Sequence, residues 1–81
     1  MRARVEIDLK HGVADPEGDN VSKALRLLGF SDVGHVRSVK VYEIEIDARD
    51  SAKARRSVEE MCRKLLANPV IHDYHIEMPG E

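Results

Sequence analysis

The chain has 81 residues, and 13 basic against 15 acidic residues give it a formal net charge of −2. This length predicts one domain spanning residues 1–81. The charge balance argues against a nucleic-acid-binding protein, which would normally have an excess of basic residues on one face. A single cysteine excludes an internal disulfide, which favours a reducing, cytoplasmic location. The sequence contains neither an apolar run of about 18 residues nor the apolar start of a signal peptide, so we expect no membrane association.

The first predicted element is a half-buried β-strand. Its charged residues alternate with apolar ones, which are Ala3, Val5, Ile7 and Leu9. A period of two gives the strand one apolar face and one charged face. Gly12, Pro16 and Gly18 then indicate a loop over residues 10–19.

The second predicted element is an amphipathic helix, which we expect Asp19 or Asn20 to cap. Its apolar residues recur at i, i+3, i+4 and i+7, namely Val21, Ala24, Leu25 and Leu28. This stripe is expected to lie against a sheet. Gly29 is predicted to end the helix, with Phe30 folding back on Leu25.

Residues 33–47 are predicted to be extended, in one of two arrangements. The valines before position 42 are out of phase with the alternation that follows, which comprises Tyr42, Ile44 and Ile46. A flat strand cannot keep both sets on one face. Either a hairpin that turns near residues 38–40 or one strand with a bulge would explain the pattern.

A second helix and a final strand complete the pattern. We expect Asp50 or Ser51 to cap the helix. Apolar residues at helical spacing predict its buried stripe, which is Ala54, Val58, Met61, Cys62, Leu65 and Leu66. Pro69 disfavours helical geometry at Asn68, so the helix is predicted to end there and a strand to follow over residues 70–78.

The order β-α-β-β-α-β predicts an α+β, ferredoxin-like fold with two helices packed on one face of a small antiparallel sheet. The outer strands would be residues 33–39 and 70–78, and their edges would be available for self-pairing. The opposite face of the sheet would carry the charged residues Arg4, Glu6, Asp8, Glu43, Glu45, Asp73, His75 and Glu77.

No residue pattern indicates catalysis, cofactor binding or metal binding. Cys62 lies within an apolar stripe and is expected to be a buried apolar residue rather than a nucleophile. His72 and His75 are three apart, so on a strand they point to opposite faces and do not suit a shared metal. The acidic loop before the first helix lacks the spacing of a calcium loop, and Gly18 is not followed by the Lys-Ser/Thr of a P-loop.

Three segments then carry a family resemblance. They run from Leu9 to Gly18, from Val36 to Glu43, and from Glu60 to Tyr74, where Leu-Leu-Ala-Asn-Pro-Val-Ile-His-Asp-Tyr ends the third. In this order and spacing the chain resembles the PurS family, the small subunit of phosphoribosylformylglycinamidine (FGAM) synthase. Two positions depart from the family pattern. The family commonly has a glycine where this chain has Val39, and an acidic residue where this chain has His72.

The resemblance implies a non-catalytic subunit of a glutamine-dependent ligase in purine biosynthesis. A PurQ-like glutaminase subunit would release ammonia, and a PurL-like synthetase subunit would use ATP and Mg²⁺ to activate the formamide oxygen of formylglycinamide ribonucleotide. This chain would bridge them and support ammonia transfer, without binding ATP or Mg²⁺ itself. The resemblance also implies a homodimer or homotetramer.

The candidate partner contacts are polar and charged residues of the first loop and of the expected hairpin, namely Lys10, His11, Asp15, Glu17, Arg37 and Lys40. An equally good interpretation of Asp15, Pro16 and Gly18 is that turn geometry and helix capping require them. The alternative function is a small dimeric regulatory domain of similar fold that binds an amino acid or a nucleotide between subunits. An RNA-binding sheet is disfavoured because the exposed face is acidic.

Overall fold

The computed structural model, which describes residues 1–79, has a three-stranded antiparallel sheet whose first strand lies in the centre, with the second strand on one side and the third on the other. The elements are β1 (Arg2–Leu9), α1 (Pro16–Leu27), β2 (Lys40–Glu45), α2 (Ser51–Met61) and β3 (His72–Glu77). The predicted α+β class, with the small antiparallel sheet of a ferredoxin-like fold, is confirmed. No helix in the described range is long and apolar enough to cross a membrane.

The hydrophobic core lies between α2 and the apolar face of the sheet. Val5 on β1 and Val58 on α2 are both fully buried. Val5 pairs with Tyr42 on one side and with Ile76 on the other, so the apolar face continues across all three strands. Cys62 is also buried in this core, as the sequence predicts.

Both helices begin at an aspartate. Asp50 caps α2 as predicted, because its Oδ1 accepts a hydrogen bond from a backbone N–H of the first turn. Asp15 caps α1, and Pro16 occupies a first-turn position where its missing N–H costs nothing. The predicted cap at residues 19–20 is therefore wrong, since α1 begins earlier.

The predicted end of α1 is confirmed. Gly29 has a φ of +103°, the left-handed conformation that glycine adopts without strain. The N–H of Phe30 reaches the Leu25 carbonyl at 3.0 Å, which completes the expected capping motif.

Helix α1 belongs to an arm, defined here as residues 10–39, that projects from the sheet. The contacts of α1 with the other helix and strands are sparse, and the molecule measures 50 × 26 × 16 Å. The apolar stripe of α1 is not buried in the single chain, since Val21 is 43% and Leu28 is 74% exposed. The expectation that this stripe covers the sheet is wrong, and the close packing on that face is made by α2.

Residues 33–39 do not form the predicted strand, and there is no hairpin at residues 38–40. This segment instead runs back along α1, where Ser22 Oγ donates to the Gly34 carbonyl at 2.9 Å. The N–H of Ser38 donates to Asp15 Oδ2 at 2.7 Å. The outer strands are therefore β2 and β3, because hydrogen bonds within the arm hold the segment that the sequence assigned to a fourth strand.

Helix α2 follows the prediction as far as Cys62 and then changes pitch. Residues Cys62–Leu66 form a π-helical turn, closed by the bond from the Ala67 N–H to the Cys62 carbonyl at 2.9 Å. The wider turn shifts the phase of the side chains, so that Leu65 is 83% exposed while Leu66 is half-buried. The predicted burial of Leu65 is wrong for this reason, and Met61 is also exposed.

Candidate functional site

The predicted partner-contact residues gather around the base of the arm, where it joins the sheet. Lys10, His11, Asp15 and Arg37 line an open hollow of about 640 Å³ on one side. Glu17, Lys40 and again Arg37 line a groove of about 700 Å³ on the other side, whose walls include Ile7, Leu9, Val21 and Leu66. The tertiary structure thus brings together residues that are far apart in sequence, on two adjoining surfaces.

A tight turn displays His11 at the rim of the hollow. The Val13 N–H donates to the Lys10 carbonyl at 3.1 Å, and Gly12 has a φ of +88°. Such a turn needs glycine at this position. Because the Lys10 N–H is anchored on the Ile71 carbonyl of the adjacent segment at 2.8 Å, the sheet fixes the base of the turn and His11 is exposed at its corner.

Asp15 joins the two ends of the arm. Its carboxylate accepts three hydrogen bonds, from the Gly18 N–H at 3.0 Å and from the Ser38 N–H and Oγ at 2.7 Å each. These bonds, chiefly that from Gly18, hold the pKa of Asp15 below its ordinary value. The side chain is therefore ionised at neutral pH and engaged within its own chain.

Close packing at the same junction accounts for Gly18. A Cβ at this position would collide with the Val36 carbonyl oxygen and would lie 2.7 Å from Asp15 Oδ2. Only glycine lets the returning segment of the arm approach α1 this closely.

Arg37 links the arm to the charged face of the sheet. Its Nη1 lies 3.4 Å from Asp8 Oδ2. In the β1–β3 register Asp8 stands directly opposite Asp73, and like charges in such a pair repel. The guanidinium offsets part of that repulsion, although an ion pair with a half-exposed arginine contributes only about 0–1 kcal/mol.

Lys40 and Glu17 flank the groove. Lys40 pairs with Ile7 in the sheet, and its Nζ lies 5.9 Å from the centroid of the Tyr42 ring, within cation–π distance. Glu17 is exposed in the first turn of α1. Both charges border apolar surface and remain accessible to a partner.

The sequence pattern did not predict how much apolar surface is exposed, because it placed Val21, Leu28 and Leu65 in buried stripes. The exposed large side chains on the arm are Val21, Leu27, Leu28, Phe30 and Val39, and those elsewhere include Val41, Leu65 and Val70. Leu27 is 89% exposed. Covering these side chains would remove apolar surface from water.

Within the described residues, neither the metal-ligating side chains nor the cysteine is arranged as a reactive site would require. No group of three or more His, Cys, Asp or Glu residues within 1–79 is arranged to hold a metal ion. Burial raises the pKa of the Cys62 thiol, so the nucleophilic thiolate is scarce at neutral pH.

His72 has a structural contact that accounts for its position. Its Nδ1 accepts a hydrogen bond from the Asn68 N–H at 2.9 Å, at the turn that leads into β3. A carboxylate could accept the same hydrogen bond, which is consistent with the acidic residue that the family pattern has here.

Comparison with known proteins identifies close relatives. The family model described as PurS, phosphoribosylformylglycinamidine (FGAM) synthase, matches residues 2–80. The chain is 59% identical over 76 residues to an FGAM synthase subunit PurS from Archaeoglobus fulgidus, covering 94% of this chain and 95% of that protein. It is 40% identical over 77 residues to the subunit from Bacillus subtilis, covering 95% and 90%.

Solved structures agree with the sequence matches. The crystal structure of Methanocaldococcus jannaschii PurS superposes with a TM-score of 0.86 at 49% identity, covering 94% of this chain and 92% of that one. A chain in the structure of PurLQS from Thermotoga maritima superposes with a TM-score of 0.85 at 28% identity, covering 94% and 93%.

Proposed function

The chain belongs to the PurS family of FGAM synthase subunits, and we propose that it bridges a PurL-like synthetase subunit and a PurQ-like glutaminase subunit. In this proposal the PurL-like subunit binds ATP and Mg²⁺, and the PurQ-like subunit forms ammonia from glutamine. The chain contributes contact surface, as one PurS-type domain over residues 1–81, and acts in the cytoplasm.

The observation that carries the proposal is the match of nearly the whole chain to PurS proteins, one of which was solved as part of PurLQS. These relatives favour the subunit over the alternative of a regulatory ligand-binding domain. Free ammonia is mostly protonated at neutral pH and is then a poor nucleophile, so a path that excludes water has chemical value. A bridging subunit supports such a path by fixing how the two enzymes are placed.

We also propose that the chain works as a homodimer or homotetramer. A domain of this size buries only about 60% of the surface that its unfolded chain exposes. Here the apolar stripe of α1 and Leu65 of the π-helical turn are left uncovered. Contacts between copies or with the larger subunits would remove this surface from water and add stability.

We propose that the partner subunits dock at the base of the arm. Lys10, His11, Glu17, Arg37 and Lys40 supply accessible polar groups, four of them charged, beside apolar surface. The carboxylate of Asp15 is occupied by internal hydrogen bonds, so its main contribution would be to hold the docking surface in shape.

Reconstitution with the PurL-like and PurQ-like subunits from the same source tests this function. FGAM formation is measured once with glutamine and once with an ammonium salt as nitrogen donor. Leaving out this chain should abolish glutamine-dependent formation and preserve most ammonia-dependent formation, since only the first requires transfer between subunits. Equal glutamine-dependent rates with and without the chain would refute the bridging role, as would glutaminase or synthetase turnover by the chain alone.

Charge reversal tests the docking surface. Lys40→Glu and Arg37→Glu should weaken co-purification of the two larger subunits while the melting temperature changes little. Lys53→Glu, on the exposed face of α2, is the matched control and should bind normally. Normal assembly of both arm-base variants would remove these residues from the interface.

A further inference from the structure

We propose that His72 is an acid-sensitive latch on the turn that leads from the π-helical turn into β3. This turn, called the entry turn here, comprises residues 68–72. The neutral imidazole closes the entry turn, and protonation of the imidazole opens it. The latch acts within a single chain, so it goes beyond the proposed function and does not depend on it.

Reciprocal hydrogen bonds between Asn68 and His72 close the entry turn. The Asn68 N–H donates to His72 Nδ1 at 2.9 Å. The His72 N–H donates back to the Asn68 carbonyl at 2.8 Å. The imidazole therefore supplies the acceptor that the backbone N–H of Asn68 needs at the point where the chain leaves the helical segment.

The other N–H groups of the entry turn have acceptors on Asn68. Its carbonyl also accepts from the Ile71 N–H at 3.1 Å, and its side-chain Oδ1 accepts from the Val70 N–H at 3.0 Å. Pro69 has no N–H to satisfy. Carbonyl and amide oxygens do not titrate, whereas histidine is the side chain that changes its charge between about pH 5 and 8. The imidazole is thus the one acceptor of the entry turn that mild acid removes.

The direction of this hydrogen bond fixes the state of the imidazole. Nδ1 can accept a hydrogen bond only when it carries no proton, so the hydrogen of neutral His72 lies on Nε2. An imidazolium has hydrogens on both nitrogens and accepts no hydrogen bond. Protonation would set two donors against each other, so the ring must turn away and the Asn68 N–H loses its partner.

The latch also reaches the end of β1. The Ile71 carbonyl, inside the entry turn, accepts from the Lys10 N–H at 2.8 Å. Leu9, the last residue of β1, is the register partner of His72. When Nδ1 releases Asn68, the entry turn loses one of the bonds that hold Ile71 in place. The Lys10 N–H should then become easier to expose as well.

Charged groups from several elements surround His72. Those that share a shallow hollow with its side chain are Lys10, Asp73 and His75. Those that share its groove come from the arm and from β2, namely Glu17, Arg37 and Lys40. A variant that keeps all of these groups and changes only residue 72 separates the latch from their titration and their fields.

Hydrogen exchange of single amides, followed by NMR on the full chain, tests the latch. The protection of the Asn68 amide is corrected for the pH dependence of intrinsic exchange. It should fall about two- to tenfold between about pH 7.5 and about pH 5.5, as expected for the loss of one hydrogen bond to an imidazole. The Lys10 amide should lose less protection. The Ile46 amide, which bonds the Met1 carbonyl at the far end of the sheet, should not change.

Two variants and one spectrum separate the latch from a general effect of acid. His72→Asp keeps an acceptor that stays ionised in this range, so its Asn68 protection should be the same at both pH values. His75→Asn removes an exposed histidine of the same strand and should leave the fall unchanged. In the unmodified chain near pH 7.5, ¹⁵N spectra of the imidazole should show Nδ1 without a proton.

Three results would overturn the latch. The first is an Asn68 amide that keeps its protection while the imidazole of His72 titrates. The second is an equal fall of protection in His72→Asp, and the third is a proton on Nδ1 near pH 7.5. Because exchange is measured on this chain alone, a failure of the bridging role in reconstitution would leave the result for the latch unchanged.

Discussion

Two alanine substitutions in one helical segment should differ strongly in their effect on stability, because Val58 lies in α2 and Leu65 lies in the π-helical turn. Val58 is fully buried and Leu65 is 83% exposed. Val58→Ala removes two methyl-sized groups from the core, a transfer loss of about 1.6 kcal/mol at about 0.8 kcal/mol each. The unfilled cavity raises the expected loss in the free energy of unfolding to about 2–3 kcal/mol. Leu65→Ala should change it by less than about 0.5 kcal/mol, although leucine is the larger side chain.

Urea unfolding followed by circular dichroism measures both differences. The unfolding midpoint should be determined at several chain concentrations, because a contact between copies makes it depend on concentration. A loss for Leu65→Ala as large as that for Val58→Ala, at every concentration, would mean that Leu65 lies in the core and that the turn is α-helical. The helix assignment over residues 62–66 would then be wrong.

Three further outcomes concern the arm and the turn before β3. Gly18→Ala should destabilise the chain by about 1–3 kcal/mol, because its Cβ would collide with backbone. Gly34→Ala, which has open space around it, should be neutral in the same unfolding assay. His72→Leu removes a hydrogen-bond acceptor and should lower the free energy of unfolding by about 0.5–1.5 kcal/mol, measured by thermal unfolding. His72→Asp keeps an acceptor and should lower it less. The lowered pKa of Asp15 means that its stabilising contribution is complete above its ordinary value of 3.8 and is lost as the pH falls below it. In Asp15→Asn the free energy of unfolding should therefore fall less steeply as the pH is lowered through the acid range. A fall as steep as in the unmodified chain would contradict this.

Local patterns in the sequence were sufficient for several elements. Alternation over β1 sets its buried face, because side chains of a strand point to opposite sides with a period of two. Gly29 ends α1 and Asp50 begins α2 for reasons confined to a few neighbouring residues. Helical spacing likewise placed Val58 and Cys62 in the core.

The candidate site depended on contacts that no local pattern contains. The predicted partner-contact residues were chosen from charge and loop position, and the sequence could not show that they line adjoining surfaces. Ser38 meets Asp15 across 23 positions, and Arg37 meets Asp8 across 29. These contacts define the base of the arm, and they exist only once α1 and its returning segment are folded against each other.

The sequence by itself determined which faces of the helices and strands are apolar, since that property follows from periodicity alone. Tertiary structure decided what covers those faces. An amphipathic stripe indicates that burial is favourable and does not name the partner, so the stripe of α1 could be left exposed on an arm while α2 filled the core. Residues 36–39 likewise have the composition of a strand, but hydrogen bonds to Asp15 hold this segment in the arm. A strand forms only where the edge of another strand lies within reach.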